Sequence, residues 1–126
     1  MAIDKRYPES ELTDKIIGAA ISVHKELKSG FVEKIYQRAL YLELKNAGLK
    51  VEREKKINLR YKKANIGYGQ PDFIVNDKVV IEIKATSEIM DIHKSQLLSY
   101  LKLSNKKVGL ILNFGKSVLD IKRIVN

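Results

Sequence analysis

Two carboxylates and an amine stand among apolar residues in the stretch PDFIVNDKVVIEIKA, residues 71–85. The stretch predicts two short strands joined by a polar turn, and its charged residues include Asp72, Glu82 and Lys84. Side chains two apart on a strand share a face, so Glu82 and Lys84 are expected to lie side by side. Because burying charge is expensive unless the charges are paired or bind a metal, the pattern indicates either a cross-strand ion pair on a solvated face or a functional site.

The position of Asp72 relative to Glu82 depends on the turn between the two strands. A two-residue loop at 76–77 directs Asp72 away from Glu82, whereas a three-residue loop at 76–78 places them opposite each other. We predict the three-residue loop or an equivalent bulge. In that register the carboxylates repel each other, and a divalent cation, Mg²⁺ or Mn²⁺, relieves the repulsion. With Lys84 beside them to hold water or to stabilise charge on a phosphate, the chemistry indicated is hydrolysis of a phosphodiester.

Composition sets the class of protein in which this chemistry would occur. The chain has 126 residues, 44% of them apolar, which suits one domain with a single core. It has no cysteine, no apolar run of membrane-spanning length and no segment like a signal peptide, so we expect a cytoplasmic protein without a membrane partner. The 24 basic and 15 acidic residues give a net charge of +9, which favours a nucleic-acid partner, although scattered lysines are common in lysine-rich proteomes.

Hydrophobic periodicity predicts the elements that position the charged residues. Residues 1–9 are polar and expected to be loose, and residues 10–126 form the domain. Two helices come first, the second with an apolar stripe of Val32, Ile35, Tyr36, Ala39, Leu40 and Ala47. The remaining elements are strands in KINLRY and in the two apolar runs of the opening stretch, a helix in DIHKSQLLSYLKLSN, and strands in KVGLILNF and VLDIKRIV, the last at a sheet edge. This order predicts an α/β sandwich, a mixed sheet flanked by helices.

Several short motifs occur in order along the chain. They are GFVEKIY with Gly30, Glu33 and Tyr36; Pro71-Asp72; Glu82-Ile83-Lys84; QLLSYL with Gln96 and Tyr100; and GLILNFG. The second and third together resemble the signature of the PD-(D/E)XK nuclease superfamily, and the first resembles the pattern that names the GxxExxY protein family. The fourth is similar to the Q-x-x-x-Y motif of some nucleases in that superfamily. The resemblance extends over nearly the whole chain, from about residue 12 to residue 126.

The resemblance implies a restriction-endonuclease-like fold and a metal-dependent nuclease. Asp72 and Glu82 would be the metal ligands, with the backbone carbonyl of Ile83 as a further one, and Lys84 would orient or activate the nucleophilic water. Glu33 would reach the metal directly or through water. The alternative for Glu33 is that it only complements the positive end of its helix. The resemblance does not supply the substrate, for which we expect DNA, with RNA as the second candidate.

The predicted third helix is expected to flank the site formed by Asp72, Glu82 and Lys84. Gln96 and Tyr100 are one turn apart, so they share a face, and His93 lies one turn before Gln96. We expect Gln96 and Tyr100 to assist catalysis by touching substrate phosphate or by holding Lys84 and the metal waters. We expect His93, Lys94 and Lys102 to contact nucleic acid. The alternative is a polar helix edge with solvated lysines.

Two other kinds of protein remain open from the sequence. One is a nuclease-fold domain that binds nucleic acid or a partner protein without cutting, and the other is a basic α/β domain whose carboxylates are structural. A domain this small has no obvious module for reading bases, so we expect cleavage directed by the structure or the ends of the nucleic acid, or a partner protein that supplies targeting. A homodimer would allow both strands of a duplex to be cut.

Overall fold

The computed structural model describes residues 7–126, so most of the predicted loose segment lies outside the described residues. Within this range the helices are α1 (Ser10–Leu27), α2 (Glu33–Asn46) and α3 (Asp91–Ser104). The strands are β1 (Val51–Arg53), β2 (Ile57–Tyr61), β3 (Ala64–Gly69), β4 (Phe73–Val75), β5 (Val79–Lys84), β6 (Val108–Asn113) and β7 (Asp120–Val125). The five strands before α3 outnumber the three predicted, because β1 is very short and the two glycines of β3 weaken its strand pattern.

A five-stranded sheet in the order β1-β4-β5-β6-β7 forms the centre of the molecule. The β5–β6 pair is parallel and the other pairs are antiparallel, which confirms the predicted mixed sheet. The last strand lies at one edge, also as predicted. The strands β2 and β3 pair only with each other, and they form a separate two-stranded hairpin.

Helices cover both faces of the central sheet. The side chains of Val79, Ile81 and Ile83 join the core that contains α1 and α2. Val80, in between, packs against Leu97 and Leu101 of α3. This alternation along β5 confirms the predicted division of its side chains between two faces, and it assigns Glu82 and Lys84 to the α3 face.

Tyr36 fixes the start of α2 against the rest of the protein. Its hydroxyl donates to the Lys28 carbonyl at 2.6 Å, and its ring stacks on Phe114 with the centroids 4.6 Å apart. The buried residues of α2 are Tyr36, Gln37, Leu40 and Leu44. The predicted stripe was therefore wrong at Val32 and Ala47, which fall just outside the helix and are exposed, and at Ile35, which lies within the helix but is also exposed.

The turn between β4 and β5 has three residues, as predicted. Val75 pairs with Val79, and both Asn76 and Asp77 adopt positive φ, at 51° and 57°. Short polar side chains tolerate this conformation better than β-branched ones. Asn76 is further fixed because its N–H donates to the Lys50 carbonyl and its side-chain oxygen accepts the Lys50 N–H, each at 2.8 Å.

Candidate active site

The register of the β4–β5 hairpin brings the two acids together. Because Val75 pairs with Val79, continuing the antiparallel register beyond the end of β4 sets Asp72 opposite Glu82. A hydrogen bond supports this arrangement, since the Asp72 N–H donates to Glu82 Oε1 at 3.0 Å. The structure therefore selects the alternative in which the two carboxylates are neighbours.

The Asp72 carboxylate is held by donors from two elements. Its Oδ2 accepts the backbone N–H of Ile83 at 2.7 Å, and its Oδ1 accepts the side-chain amide of Gln37 at 2.7 Å. Asp72 and β5 are thus joined by two hydrogen bonds, one in each direction. The third hydrogen bond to Asp72 comes from Gln37 of α2. This network fixes the carboxylate rather than leaving it to rotate in solvent.

The backbone of Ile83 leaves its carbonyl toward the acids without a strand partner. The Lys84 carbonyl accepts the Phe114 N–H at 2.8 Å on the β6 side, so the neighbouring Ile83 groups point the other way. Continued beyond the end of β4, the register would put Pro71 across from Ile83, and proline has no N–H to donate. The Ile83 N–H donates to the Asp72 carboxylate. The carbonyl oxygen of Ile83 points to the same side of β5 as this N–H, toward the two acids.

Burial and repulsion perturb the ionisation of both acids. Glu82 is only 6% exposed, and burial together with the negative charge of Asp72 raises its pKa to about 8. Burial also raises the pKa of Asp72, against the opposing effects of the Ile83 and Gln37 hydrogen bonds and the Lys84 charge. In the absence of a cation the two carboxyls therefore titrate as a coupled pair, which favours retention of a proton near neutral pH.

Glu33 lies at the first position of α2 and is exposed. Its charge makes a small contribution to the raised pKa of Glu82, so it acts on the site electrostatically. No cluster of three or more His, Asp or Glu side chains suited to a metal occurs among residues 7–126. The oxygen groups that could hold a cation here are the carboxylates of Asp72 and Glu82 and the Ile83 carbonyl, and the other positions around it would be filled by water or substrate oxygens.

Gln37 is a site residue that the sequence reasoning missed. It is 3% exposed, donates to Asp72, and lies within hydrogen-bond distance of Lys34 and Glu54. A signal was present, because Gln37 is a polar residue next to Tyr36 on the buried side of a short helix. Buried amides need partners, and this one has found a carboxylate 35 residues further along the chain.

If Asp72 binds a cation, Gln37→Leu should lower the activity that depends on that cation by about 10- to 100-fold, as is typical when the partner of a metal ligand is removed. The reason is that Asp72 Oδ1 loses its side-chain donor, at a further cost of about 1–3 kcal/mol in stability. Cleavage rates and urea unfolding measure the two effects. Thr13→Val is the matched control, since Thr13 is fully buried and its hydroxyl donates to the Ser10 carbonyl within α1. It should lose stability and keep its rate; equal rates for the Gln37 variant and wild type would contradict the assignment.

Tyr100 lies on the face of α3 that packs against the end of β3. Its ring packs on Gly69, where an added Cβ would lie 2.8 Å from two ring carbons. Burial raises the pKa of the Tyr100 hydroxyl, and the charge of Glu82 raises it further. Gln96 lies one turn earlier on α3 and is exposed. The charges of Glu82 and Asp72 thus act on the Tyr100 hydroxyl, whereas Gln96 lies at the surface of the same helix.

The three residues predicted to contact nucleic acid have different surroundings. His93 Nδ1 accepts the Met90 N–H at 3.0 Å, which caps the start of α3. Lys94 lies 3.7 Å from Asp91 in the same turn. Lys102 is exposed and borders a cleft between α3 and β2. His93 and Lys94 therefore have local structural partners, whereas Lys102 faces open space.

Comparison with known proteins identifies the family. A family model described as the PD-(D/E)XK nuclease superfamily matches residues 10–124. The chain belongs to this superfamily. No curated protein matches the sequence significantly. Within residues 7–126, none of the helices has the length and apolar character needed to cross a membrane.

Two solved structures share the fold. One, described as the crystal structure of SSO0001, superposes with a TM-score of 0.60 at 23% identity and covers 94% of this chain. The present chain spans 59% of that protein, which is less than two thirds of its length. The other is an alkaline exonuclease (LHK-Exo) from Laribacter hongkongensis, with a TM-score of 0.56, 14% identity, and coverage of 94% of this chain and 71% of that one. At these identities the likeness establishes the fold alone.

Proposed function

We propose that this protein is a divalent-cation-dependent nuclease whose centre consists of Asp72, Glu82 and Lys84. The observation that carries the proposal is the buried carboxylate of Glu82 beside the half-buried carboxylate of Asp72, joined by the hydrogen bond from the Asp72 N–H to Glu82. Two acids that repel each other away from bulk water are unfavourable in a purely structural role. Membership of the nuclease superfamily supports a use for the pair in hydrolysis.

The donor set fits Mg²⁺ or Mn²⁺. Both are hard cations that prefer carboxylate, carbonyl and water oxygens, and Asp72, Glu82 and the Ile83 carbonyl offer the first two kinds. When bound, such a cation would neutralise charge on the phosphate and lower the pKa of a coordinated water. Binding would also remove the repulsion between the carboxylates, and it would require Glu82 to give up the proton that its raised pKa favours.

Each remaining side chain has a distinct proposed role. Lys84 is half-buried on the same face of β5 as Glu82, where its ammonium can hold the nucleophilic water or stabilise charge growing on a phosphate. Glu33 would reach the cation directly or through a water. Tyr100 and Gln96 would contact the scissile phosphate or the side chain of Lys84 from the α3 side.

DNA is the proposed substrate, with RNA as the alternative. The net charge of +9 would concentrate either polyanion at the surface. Exposed Lys102, together with His93 and Lys94 at the start of α3, would contact the phosphates. A second copy of the chain would allow both strands of a duplex to be cut, and a partner protein would supply targeting. The absence of cysteine suits the reducing cytoplasm.

The proposal is tested by incubating the protein with labelled single-stranded DNA, duplex DNA and RNA, each with Mg²⁺, Mn²⁺ or EDTA. Cleavage is expected with the metals and not with EDTA, and it should disappear in a Lys84→Ala control. If the protein shifts the mobility of a nucleic acid but cuts none of them, the domain binds without cutting and the proposal is wrong.

A further inference from the structure

The β2–β3 hairpin is the most basic segment of the described chain, and no residue of it was predicted to be functional. We call residues 55–70 the basic hairpin. It contains no Asp or Glu, and its basic residues are Lys55, Lys56, Arg60, Lys62 and Lys63. Only Lys55 has a carboxylate partner, Glu52 at 3.0 Å, among the ion pairs of the described residues. The remaining charges are free to meet an anion.

The basic hairpin is fixed at its base and exposed along its length. Ile57 packs against the α3 side of the core, and Gly69 lies against Tyr100 and Leu103. The large exposed side chains further out are Leu59 (43%), Ile66 (58%), Tyr61 (62%) and Tyr68 (57%). Apolar and aromatic groups concentrated on one exposed element indicate an interaction surface.

Two tyrosines of the basic hairpin each have a lysine at the ring. Lys56 Nζ lies 4.7 Å from the ring centroid of Tyr68, and Lys62 Nζ lies 5.6 Å from that of Tyr61. Each pair thus combines a flat surface on which a base can stack with a cation for the adjoining phosphate. That combination matches the repeating unit of a nucleic-acid strand.

The basic hairpin leads directly into the acid pair. Its last strand ends at Gly69, and Asp72 follows three residues later. Gln70 stabilises the segment between Gly69 and Asp72, because its side-chain amide donates to the backbone carbonyl of Glu54 at 2.6 Å. A cleft of about 490 Å³ separates β2 from α3, and Arg60 and Lys102 are among the residues that border it. The base of the hairpin, at Gly69, therefore precedes Asp72 closely in the chain and packs against Tyr100, whose hydroxyl is affected by the charge of Glu82.

We propose that the basic hairpin binds single-stranded nucleic acid on its face opposite Ile57 and Gly69, through stacking on Tyr68 and through phosphate contacts from Lys56 and Arg60. In a duplex the bases cover one another, so exposed tyrosine rings offer little to it, whereas unpaired bases have free faces. The binding surface does not depend on the proposed nuclease function.

The test is fluorescence anisotropy with a labelled dT oligonucleotide of about 12 nucleotides, a length within the range that small single-strand binders cover. EDTA is present throughout to prevent cleavage. Tyr68→Ala should weaken binding about tenfold and Tyr68→Phe should leave it unchanged, because phenylalanine still stacks. Lys56→Ala should lower the slope of log affinity against log salt by about 0.7. Lys45→Ala, an exposed lysine in the last turn of α2, is the matched control and should leave affinity nearly unchanged.

The outcomes separate this inference from the nuclease proposal. Loss of oligonucleotide binding in Tyr68→Ala, with or without any cleavage by the wild type, supports the hairpin surface. Metal-dependent cleavage combined with equal oligonucleotide affinity in Tyr68→Ala, Lys56→Ala and wild type would overturn it and leave the nuclease proposal standing. Wild-type protein that binds no oligonucleotide, or that binds the matching duplex more tightly with the same loss in Tyr68→Ala, would also overturn it.

Discussion

Lys84→Ala is expected to lower the rate of metal-dependent cleavage by about 1,000-fold while the protein stays folded. The backbone of Lys84 keeps its place in the sheet, because its carbonyl accepts the Phe114 N–H and its partner in the register is Asn113. The side chain is only half-buried, so its removal opens no large cavity. What disappears is the positive charge next to Glu82 and Asp72, which opposes the rise in both their pKa values.

Single-turnover cleavage at saturating metal measures this effect. Lys122→Ala is the matched control, since Lys122 is an exposed lysine on the edge strand β7. It removes the same charge from the chain and should cut at the wild-type rate. Lys84→Arg keeps a cation but not the shape of an ammonium, so it should recover only part of the activity. A Lys84→Ala protein that is folded and cuts at the wild-type rate would show that Lys84 has no role in catalysis.

Glu82→Gln is expected to stabilise the metal-free protein near pH 8 and to abolish its activity. The pKa of Glu82 is raised from 4.5 to about 8 in the folded chain, so the native state holds its proton more tightly than the unfolded state does. Stability is therefore greatest below the ordinary pKa and declines as the pH rises from about 4.5 to about 8. The decline has an upper limit of about 1.4 kcal/mol per pH unit.

Glutamine has no proton to lose, and its side-chain oxygen can still accept the Asp72 N–H. Glu82→Gln should thus gain about 1–3 kcal/mol in unfolding free energy at the alkaline end of this range and show a flatter pH dependence. Urea unfolding in EDTA across this pH range measures both. Glu43→Gln, on the exposed side of α2, is the control and should follow wild type. If Glu82→Gln loses stability with pH as steeply as wild type does, Glu82 is not the buried acid described here.

The sequence was sufficient to predict the architecture and the acid pair. The β4–β5 turn left two registers open, and Asn76 and Asp77 in the positive-φ conformation allow the three-residue loop that joins Asp72 to Glu82. The alternation of side chains along β5 was also readable, because each face of the strand is buried by a different layer. These features depend on local periodicity and turn chemistry, which a single sequence carries.

The missed features depend on contacts between distant parts of the chain. Gln37 is buried because its amide meets Asp72, and nothing within α2 reveals that partner. The alternation in KINLRY predicted a half-buried strand, yet Leu59 and Tyr61 are 43% and 62% exposed because β2 leaves the central sheet with β3. Periodicity indicates which residues share a face. It does not indicate what covers that face.

Calorimetric titration of the wild-type protein and Glu82→Gln with Mn²⁺ tests the central claim most directly. Near neutral pH the wild type is expected to bind Mn²⁺ with release of a proton, detected by repeating the titration in buffers of different ionisation enthalpy. Glu82→Gln should bind at least about tenfold more weakly and release no proton. Equal Mn²⁺ binding by the two proteins, or no binding by either, would contradict the assignment of Asp72 and Glu82 as the metal site of a nuclease.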